Sequence, residues 1–398
     1  MKLFSGGISR YSSVAGITDM NNRNYRYIVP LTGNAAFKIS DFERYRFLEV
    51  EKSKYKHNDF IKLNVEGEIH VYNYTLDMEH YLIIDSLEIS TVAEFQKKCF
   101  SILLALGFIK GNFLNDECFI LSFQNNKMKN PENFLYTSMR ASINTQQPLF
   151  VTSYYSVYND IDYVREENGE ISKDDPLFSR FKGDVQLFPD EAFSNLSSLC
   201  YSSEKIQRAL LIFIDAHVAT LEVKIPNYYV AIEAIAGYIE GVRKKQGSKI
   251  SAAPIKNPDM ARELISEIKE IISHKKETSK MDDEEFAIEI LFKNIDRLNS
   301  PTNADKLNEA FIYVDYILTL EQKKLLIDRN LYLHRSFLKT VDDEELFKKG
   351  LFAALKLESM IAVLIFRLCK YSGPMINYTA LYSSITDLGH DEDRVWDI

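Results

Sequence analysis

The chain of 398 residues is 46% hydrophobic and 26% charged, with 15 Gly and 10 Pro. These values exclude collagen-like, disordered and low-complexity classes and predict two domains at roughly 100–200 residues each. A formal charge of -9, from 48 Lys+Arg against 57 Asp+Glu, excludes a polyanion binder coated in positive charge, so any nucleic-acid contact must be local.

From Tyr25 to about Ser90 the pattern is short, aromatic and β-branched. Tyr27-Ile28-Val29, Phe47-Leu48-Glu49-Val50, Phe60-Ile61-Lys62-Leu63 and Ile69-His70-Val71-Tyr72 are separated by turn formers such as Gly33-Asn34 and Glu66-Gly67, the signature of antiparallel strands and hairpins. Thr91 to Leu106 switches to helical spacing through Val92, Phe95, Cys99, Ile102 and Leu106, with Gly107 and Gly111 as the expected stops. Cys118 to Phe123 reads as a strand again, and Asn125–Gln147 and Asn159–Asp190 read as polar loops.

Past about Ser202 the period becomes 3.6. Ile206, Leu210, Ile214, Val218 and Leu221 mark one helix; Tyr229, Ile232, Ala236 and Ile239 mark a second, with Pro226 in its first turn. Gly241–Asn257 reads as a basic loop. Met260, Leu264, Ile268 and Ile271 give a third helix, Ile288, Leu291, Ile295 and Leu298 a fourth, and Leu307, Phe311, Val314 and Leu318 a fifth. Thr319 and Gln322 have capping-box form and open a sixth helix through Leu326, Leu333 and Phe337. Asp342 or Asp343 caps a last helix along Leu346, Ala353, Leu357, Met360, Leu364 and Leu368, stopped by Gly373-Pro374. The expected fold is α+β: a strand-rich domain over residues 1–200, an all-α helical bundle over 201–378, and a C-terminal tail over 379–398.

Cys99, Cys118, Cys200 and Cys369 form no CxxC pair and read as buried free thiols. The N-terminus has no apolar run of signal-peptide length, and no stretch approaches the ~18 residues of a membrane span, so the expectation is a cytoplasmic protein without membrane partners. Walker, H-E-x-x-H, G-x-S-x-G and Rossmann motifs are missing, and the seven histidines are scattered, so neither a metal site nor a cofactor is expected.

One string carries chemistry: Arg329-Asn330-Leu331-Tyr332-Leu333-His334, an R-N-x-x-x-H pattern on the sixth helix. On a helix, Asn330 and His334 are i,i+4 neighbours about 40° apart, so the amide can orient the imidazole. Arg329 lies about 140° around but has the reach to pass one turn. Asn330 falls on the stripe of Leu326, Leu333 and Phe337, where a polar pair costs stability unless it is satisfied or used. Arg23-Asn24, with Ile28 at the histidine position, shows that the dipeptide alone is common.

Arg329, Asn330 and His334 resemble the R-x4-6-H motif of HEPN-domain ribonucleases. The layout, a strand-rich half followed by a helical bundle, is similar to the ApeA-like anti-phage (abortive-infection) HEPN proteins. The resemblance in motif covers roughly residues 202–378. It departs at Arg335, which stands where that family often has Gly.

The resemblance implies a HEPN fold and a metal-independent endoribonuclease, acting on RNA as a homodimer whose two motifs share a cleft. His334 would be the acid or base, Arg329 the phosphate-binding cation and Asn330 the residue that fixes the ring. It implies an abortive-infection effector answering a phage-derived trigger; the alternative is a non-catalytic HEPN interaction or nucleotide-binding module. Tyr332, beside the motif, would be the acceptor if the protein is silenced by modification.

Supporting candidates are Glu233, placed to hold the Arg329 guanidinium, and Arg335, for phosphate. Lys244 and Lys245 offer a basic patch on an RNA path, as do Lys275 and Lys276 after the third helix. His217 reads as a satisfied core histidine.

Overall fold

The computed structural model describes residues 10–12, 20–31, 58–76, 79–110, 112–113, 117–138, 143–144, 188–247, 253–279, 287–334, 344–393 and 395–398. Expected elements at Phe47–Val50 and Gly33-Asn34 and the caps Asp342 and Asp343 lie outside the described residues, as does Arg335.

The N-terminal strands are β1 (Arg10–Ser12), β2 (Arg23–Leu31), β3 (Asn58–Asn64), β4 (Glu68–Leu76), β5 (Glu79–Ser90), β6 (Asn112–Phe113), β7 (Glu117–Phe123), β8 (Asn133–Ser138) and β9 (Ile143–Asn144). Seven of them form one antiparallel sheet in the order β1-β8-β7-β2-β5-β4-β3, while β6 and β9 make a separate ladder. β8 corrects the expectation of loop over Asn125–Gln147. Its Leu135 is fully buried opposite Ile120, and the β-prone centre Phe134-Leu135-Tyr136 makes a short strand inside an otherwise polar stretch.

Strand periodicity explains which face is covered. Tyr25, Tyr27, Val29 and Leu31 on β2 are buried, and Arg26, Ile28 and Pro30 alternate with them as half-buried residues. The covering element is α1 (Val92–Lys110), whose Phe95 ring stacks on Tyr25 at 5.2 Å and meets Tyr27 edge-on at 6.4 Å. A capping box opens α1: the Glu94 N–H donates to Thr91 Oγ1 at 3.2 Å, and the Thr91 N–H donates to the Glu94 carboxylate at 3.0 Å.

α1 runs through Gly107, the first of the two expected stops, and ends at Lys110, directly before the second in sequence, Gly111. Phe108 and Ile109, the next two residues, are buried, and their burial outweighs the roughly 1 kcal/mol helix penalty of a glycine.

A layer of helices continues the same core. It contains α2 (Asp190–Ser202), α3 (Glu204–His217), the first half of α4 (Leu221–Lys245) and the later α10 described below. The Phe108 ring lies 5.4 Å from Phe213 of α3. α3 ends at His217, before the expected Val218 and Leu221, because Val218 is exposed and Leu221 opens α4. Pro226 sits inside α4 rather than in its first turn.

By packing, the chain divides into two units: residues 1–235 with 332–398, and residues 236–331. The second unit holds the end of α4, α5 (Pro258–Ser279), α6 (Ile288–Ile295), α7 (Asn303–Tyr313), α8 (Leu320–Ile327) and the start of α9 (Arg329–His334). Within it the buried Arg243 donates to Glu309 at 3.0 Å, tying α4 to α7. Lys269 pairs with Asp296 at 2.6 Å, and the Asn299 side chain exchanges hydrogen bonds with the backbone of Ile255. Thr302 and Thr319 each make a complete capping box, the second as expected from the sequence.

In the first unit, α10 (Glu344–Leu368) is buried without interruption from Ala353 to Phe366. The residues after it fold back onto it. β10 (Pro374–Ile376) pairs antiparallel with β11 (Val395–Asp397), flanking the short α11 (Tyr378–Leu381) and α12 (Ser383–Thr386). Gly373 and Ile398 exchange backbone hydrogen bonds of 2.9 and 3.0 Å, and Ile398 is buried. Glu392 anchors this segment, accepting from Lys356 of α10, from Asn377 Nδ2 at 2.9 Å and from Thr379 Oγ1 at 2.8 Å.

The architecture is therefore an α+β sheet region followed by an all-helical region, closed by a small two-stranded ladder. All four cysteines are buried and free. Among the described residues no helix is long and apolar enough to cross a membrane.

Candidate functional site

The R-N-x-x-x-H string occupies α9, but not as the continuation of a straight sixth helix. The backbone turns at Asp328, whose N–H donates to the Lys324 carbonyl at 2.8 Å. Its own carbonyl accepts from Leu331 N–H, a tighter i→i+3 bond of 2.9 Å. This turn redirects the face that follows. Asn330 is consequently exposed, not set among Leu326, Leu333 and Phe337 as the unbroken periodicity predicts.

Arg329 is half-buried, and its Nη1 donates to Asn330 Oδ1 at 3.2 Å. The Asn330 amide nitrogen keeps its two donors, the groups an imidazole nitrogen or a phosphate oxygen would use. Tyr332 is half-buried on the same helix. His334 closes α9, and its side chain lies outside the described residues.

The supporting candidates are placed as follows. Glu233 is half-buried on α4. Lys244 and Lys245 are not in a loop: they form the last turn of α4, where cations oppose the free carbonyl ends, and both are exposed. Lys244 also pairs with Glu240 at 2.6 Å, which partly neutralises it as a phosphate contact. Lys275 and Lys276 likewise belong to α5 itself.

A polar cluster that sequence reasoning did not assemble lies in the core of the first unit. His217 Nε2 is 3.1 Å from Glu358 Oε1, and the Tyr228 hydroxyl lies 3.3 Å from both His217 Nδ1 and Glu358 Oε2. All three side chains are buried. Burial, then the Glu358 carboxylate, pushes the Tyr228 hydroxyl far above its ordinary range. Burial also lowers the Lys224 ammonium, with Glu358 opposing. A signal was present: Lys356 and Glu358 are the two charges inside the run from Leu351 to Phe366, which is otherwise apolar apart from Ser359.

A shallow surface depression between the start of α10 and Thr386–Leu388 is lined by Glu344, Lys348 and Asp387. Its charges are satisfied mutually, since Lys348 bridges Glu344 at 2.9 Å and Asp387. Among the described residues no group of three or more His, Cys, Asp or Glu could hold a metal ion. No protein-family model, curated protein or solved structure matches the chain.

Proposed function

We propose that the protein is a metal-independent endoribonuclease of HEPN type, its helical region a HEPN bundle and Arg329, Asn330 and His334 its catalytic set. The observation that carries this reading is that all three residues share one six-residue helix, with Arg329 half-exposed and Asn330 exposed. RNA supplies its own nucleophile, so the protein must provide only proton transfer and positive charge.

His334, with an ordinary pKa of about 6.5, accepts the 2′-hydroxyl proton as the oxygen attacks the adjacent phosphorus. Arg329 holds the non-bridging oxygens as charge accumulates on them. The bond to the 5′ oxygen breaks, and the matching histidine of a second copy returns a proton to that oxygen. Asn330, already engaged through its carbonyl by Arg329, keeps its amide donors for the ring or the phosphate. The products are a 2′,3′-cyclic phosphate and a 5′-hydroxyl.

In the cell this activity fits a cytoplasmic abortive-infection effector, restrained until a phage-derived trigger arrives and silenced by modification at Tyr332. The test is end-group analysis of RNA incubated with the protein in EDTA. The reading requires 5′ ends that accept phosphate from a polynucleotide kinase without prior dephosphorylation. A second reading, a non-catalytic interaction or nucleotide-binding module, draws on the same Arg329–Asn330 hydrogen bond, which also suits a structural pair. It predicts intact RNA.

A further inference from the structure

α5 is divided lengthwise into three strips when its residues are projected at the turn of a helix. Ala261, which is buried, shares the covered strip with the half-buried Ile265, Ile268 and Ile272. Beside it, Met260, Leu264 and Ile271 fall within about 40° of one another. They are 61%, 43% and 69% exposed. Glu263, Glu267, Glu270 and Glu277 occupy the next arc of about 80°, and all four are exposed.

The cations of α5 do not serve these glutamates. Arg262 pairs with Asp259 at 2.5 Å, and Lys269 pairs with Asp296 at 2.6 Å, with its ammonium 5.4 Å from the Phe292 ring centre. Among the described residues none of the four glutamates has an ion pair or side-chain hydrogen bond. Glu263 and Glu267 are i,i+4 neighbours, and Glu267 and Glu270 are i,i+3 neighbours, spacings at which like charges destabilise a helix. Uncovered aliphatic side chains and unrelieved repulsion thus lie side by side, the aliphatic strip running for about 16 Å of one helix. Both are unfavourable in the free unit, and one partner can relieve both.

We propose that this surface of α5 docks an amphipathic helix of another protein. The partner's aliphatic stripe covers Met260, Leu264 and Ile271, and Lys or Arg along its edge meets the glutamates. The partner is helical because the interior backbone of α5 is hydrogen-bonded within the helix and offers no ladder to an extended peptide. Charge selects among the other occupants as well. An anionic lipid surface or a nucleic-acid strand is repelled by four carboxylates, and α5 of a second copy carries no matching row of cations.

The test is fluorescence anisotropy of the full chain with two labelled synthetic helices of about 20 residues, each about 30 Å long. The two share one leucine stripe and differ along a single edge, lysine in one and glutamate in the other. Wild type should bind the lysine-edged helix at least about tenfold more tightly than the other, a preference that shrinks as salt is added. The combined exchange Glu263→Lys, Glu267→Lys and Glu270→Lys should reverse the preference. Leu264→Ser with Ile271→Ser should weaken the lysine-edged helix by about tenfold without reversing it. All five positions are exposed, and a thermal melt checks that each variant stays folded.

No saturable binding of the lysine-edged helix, equal affinity for the two helices, or a charge exchange that leaves the preference unreversed would each overturn the proposal. So would a fall in the mass of the chain by sedimentation velocity on Leu264→Ser with Ile271→Ser, which would assign the strip to a second copy. Anionic vesicles that pellet wild type but not this variant would assign it to lipid and overturn the proposal too. The readout is peptide binding and not cleavage, so its failure and the failure of the nuclease reading are distinguishable.

Discussion

The ring centroid of Phe108, on α1, lies 5.4 Å from that of Phe366, on α10. Some 250 residues of chain separate them, yet both side chains are buried in one core that also includes Phe188, Phe213 and Tyr371. The sheet, α1 and the helical layer therefore depend on one another. Phe366→Ala removes a fully buried ring and should cost about 3–5 kcal/mol. Urea unfolding followed both by far-UV and by aromatic near-UV dichroism should show one shifted transition. A sheet signal that keeps the wild-type midpoint would show that the halves are stabilised separately.

Glu392 gives the segment after α10 a pH dependence. Burial alone would raise its carboxyl, but hydrogen bonds from Lys356, Asn377 and Thr379 outweigh that and hold it below the usual 4.5. A depressed folded-state value contributes stability above the unfolded value, and this contribution is lost as pH falls through the folded value. Trp396, the sole tryptophan, has the Lys356 ammonium 5.3 Å from its ring centre and reports on this segment. Its fluorescence should be constant above about pH 5 and change below it. Glu392→Gln should lose about 2–3 kcal/mol at neutral pH and show a weaker acid dependence. An acid profile identical to wild type would remove Glu392 as the cause.

The Glu358 cluster makes a separate thermodynamic prediction. Glu358→Ala leaves His217 and the Tyr228 hydroxyl buried beside a void and should cost about 3–5 kcal/mol by chemical denaturation. Glu358→Gln keeps the shape and an acceptor, and should cost less than half as much. Equal losses for the two variants would mean that volume, not the carboxylate, matters there.

How much of this was legible follows from what each signal depends on. Alternation in β2 and the Glu66-Gly67 turn were readable because they are local. Glu66 adopts φ of 48°, and Gly67 adopts φ of 118° in a place where a Cβ would run into the Glu88 carboxylate. The Thr319 capping box was equally local. The continuation of α1 through Gly107 was not, because the burial of Phe108 and Ile109 decides it, and β8 was masked by the polar residues on either side of Phe134-Leu135-Tyr136. The motif on α9 was visible as a string, whereas the turn at Asp328 that exposes Asn330 was not, since Asp328 fits a helical pattern. The exposure of Met260, Leu264 and Ile271 was hidden for a related reason: periodicity marks an apolar face without saying whether it meets the core.

The central claim is that Arg329 and His334 cleave RNA without metal. The most direct measurement is the initial cleavage rate of a labelled RNA in EDTA by wild type, Arg329→Ala and His334→Ala, each verified as folded. Each variant should lose at least about 100-fold of the rate, as expected for removing a proton-transfer group or a transition-state cation. Cleavage by both variants at the wild-type rate would contradict it.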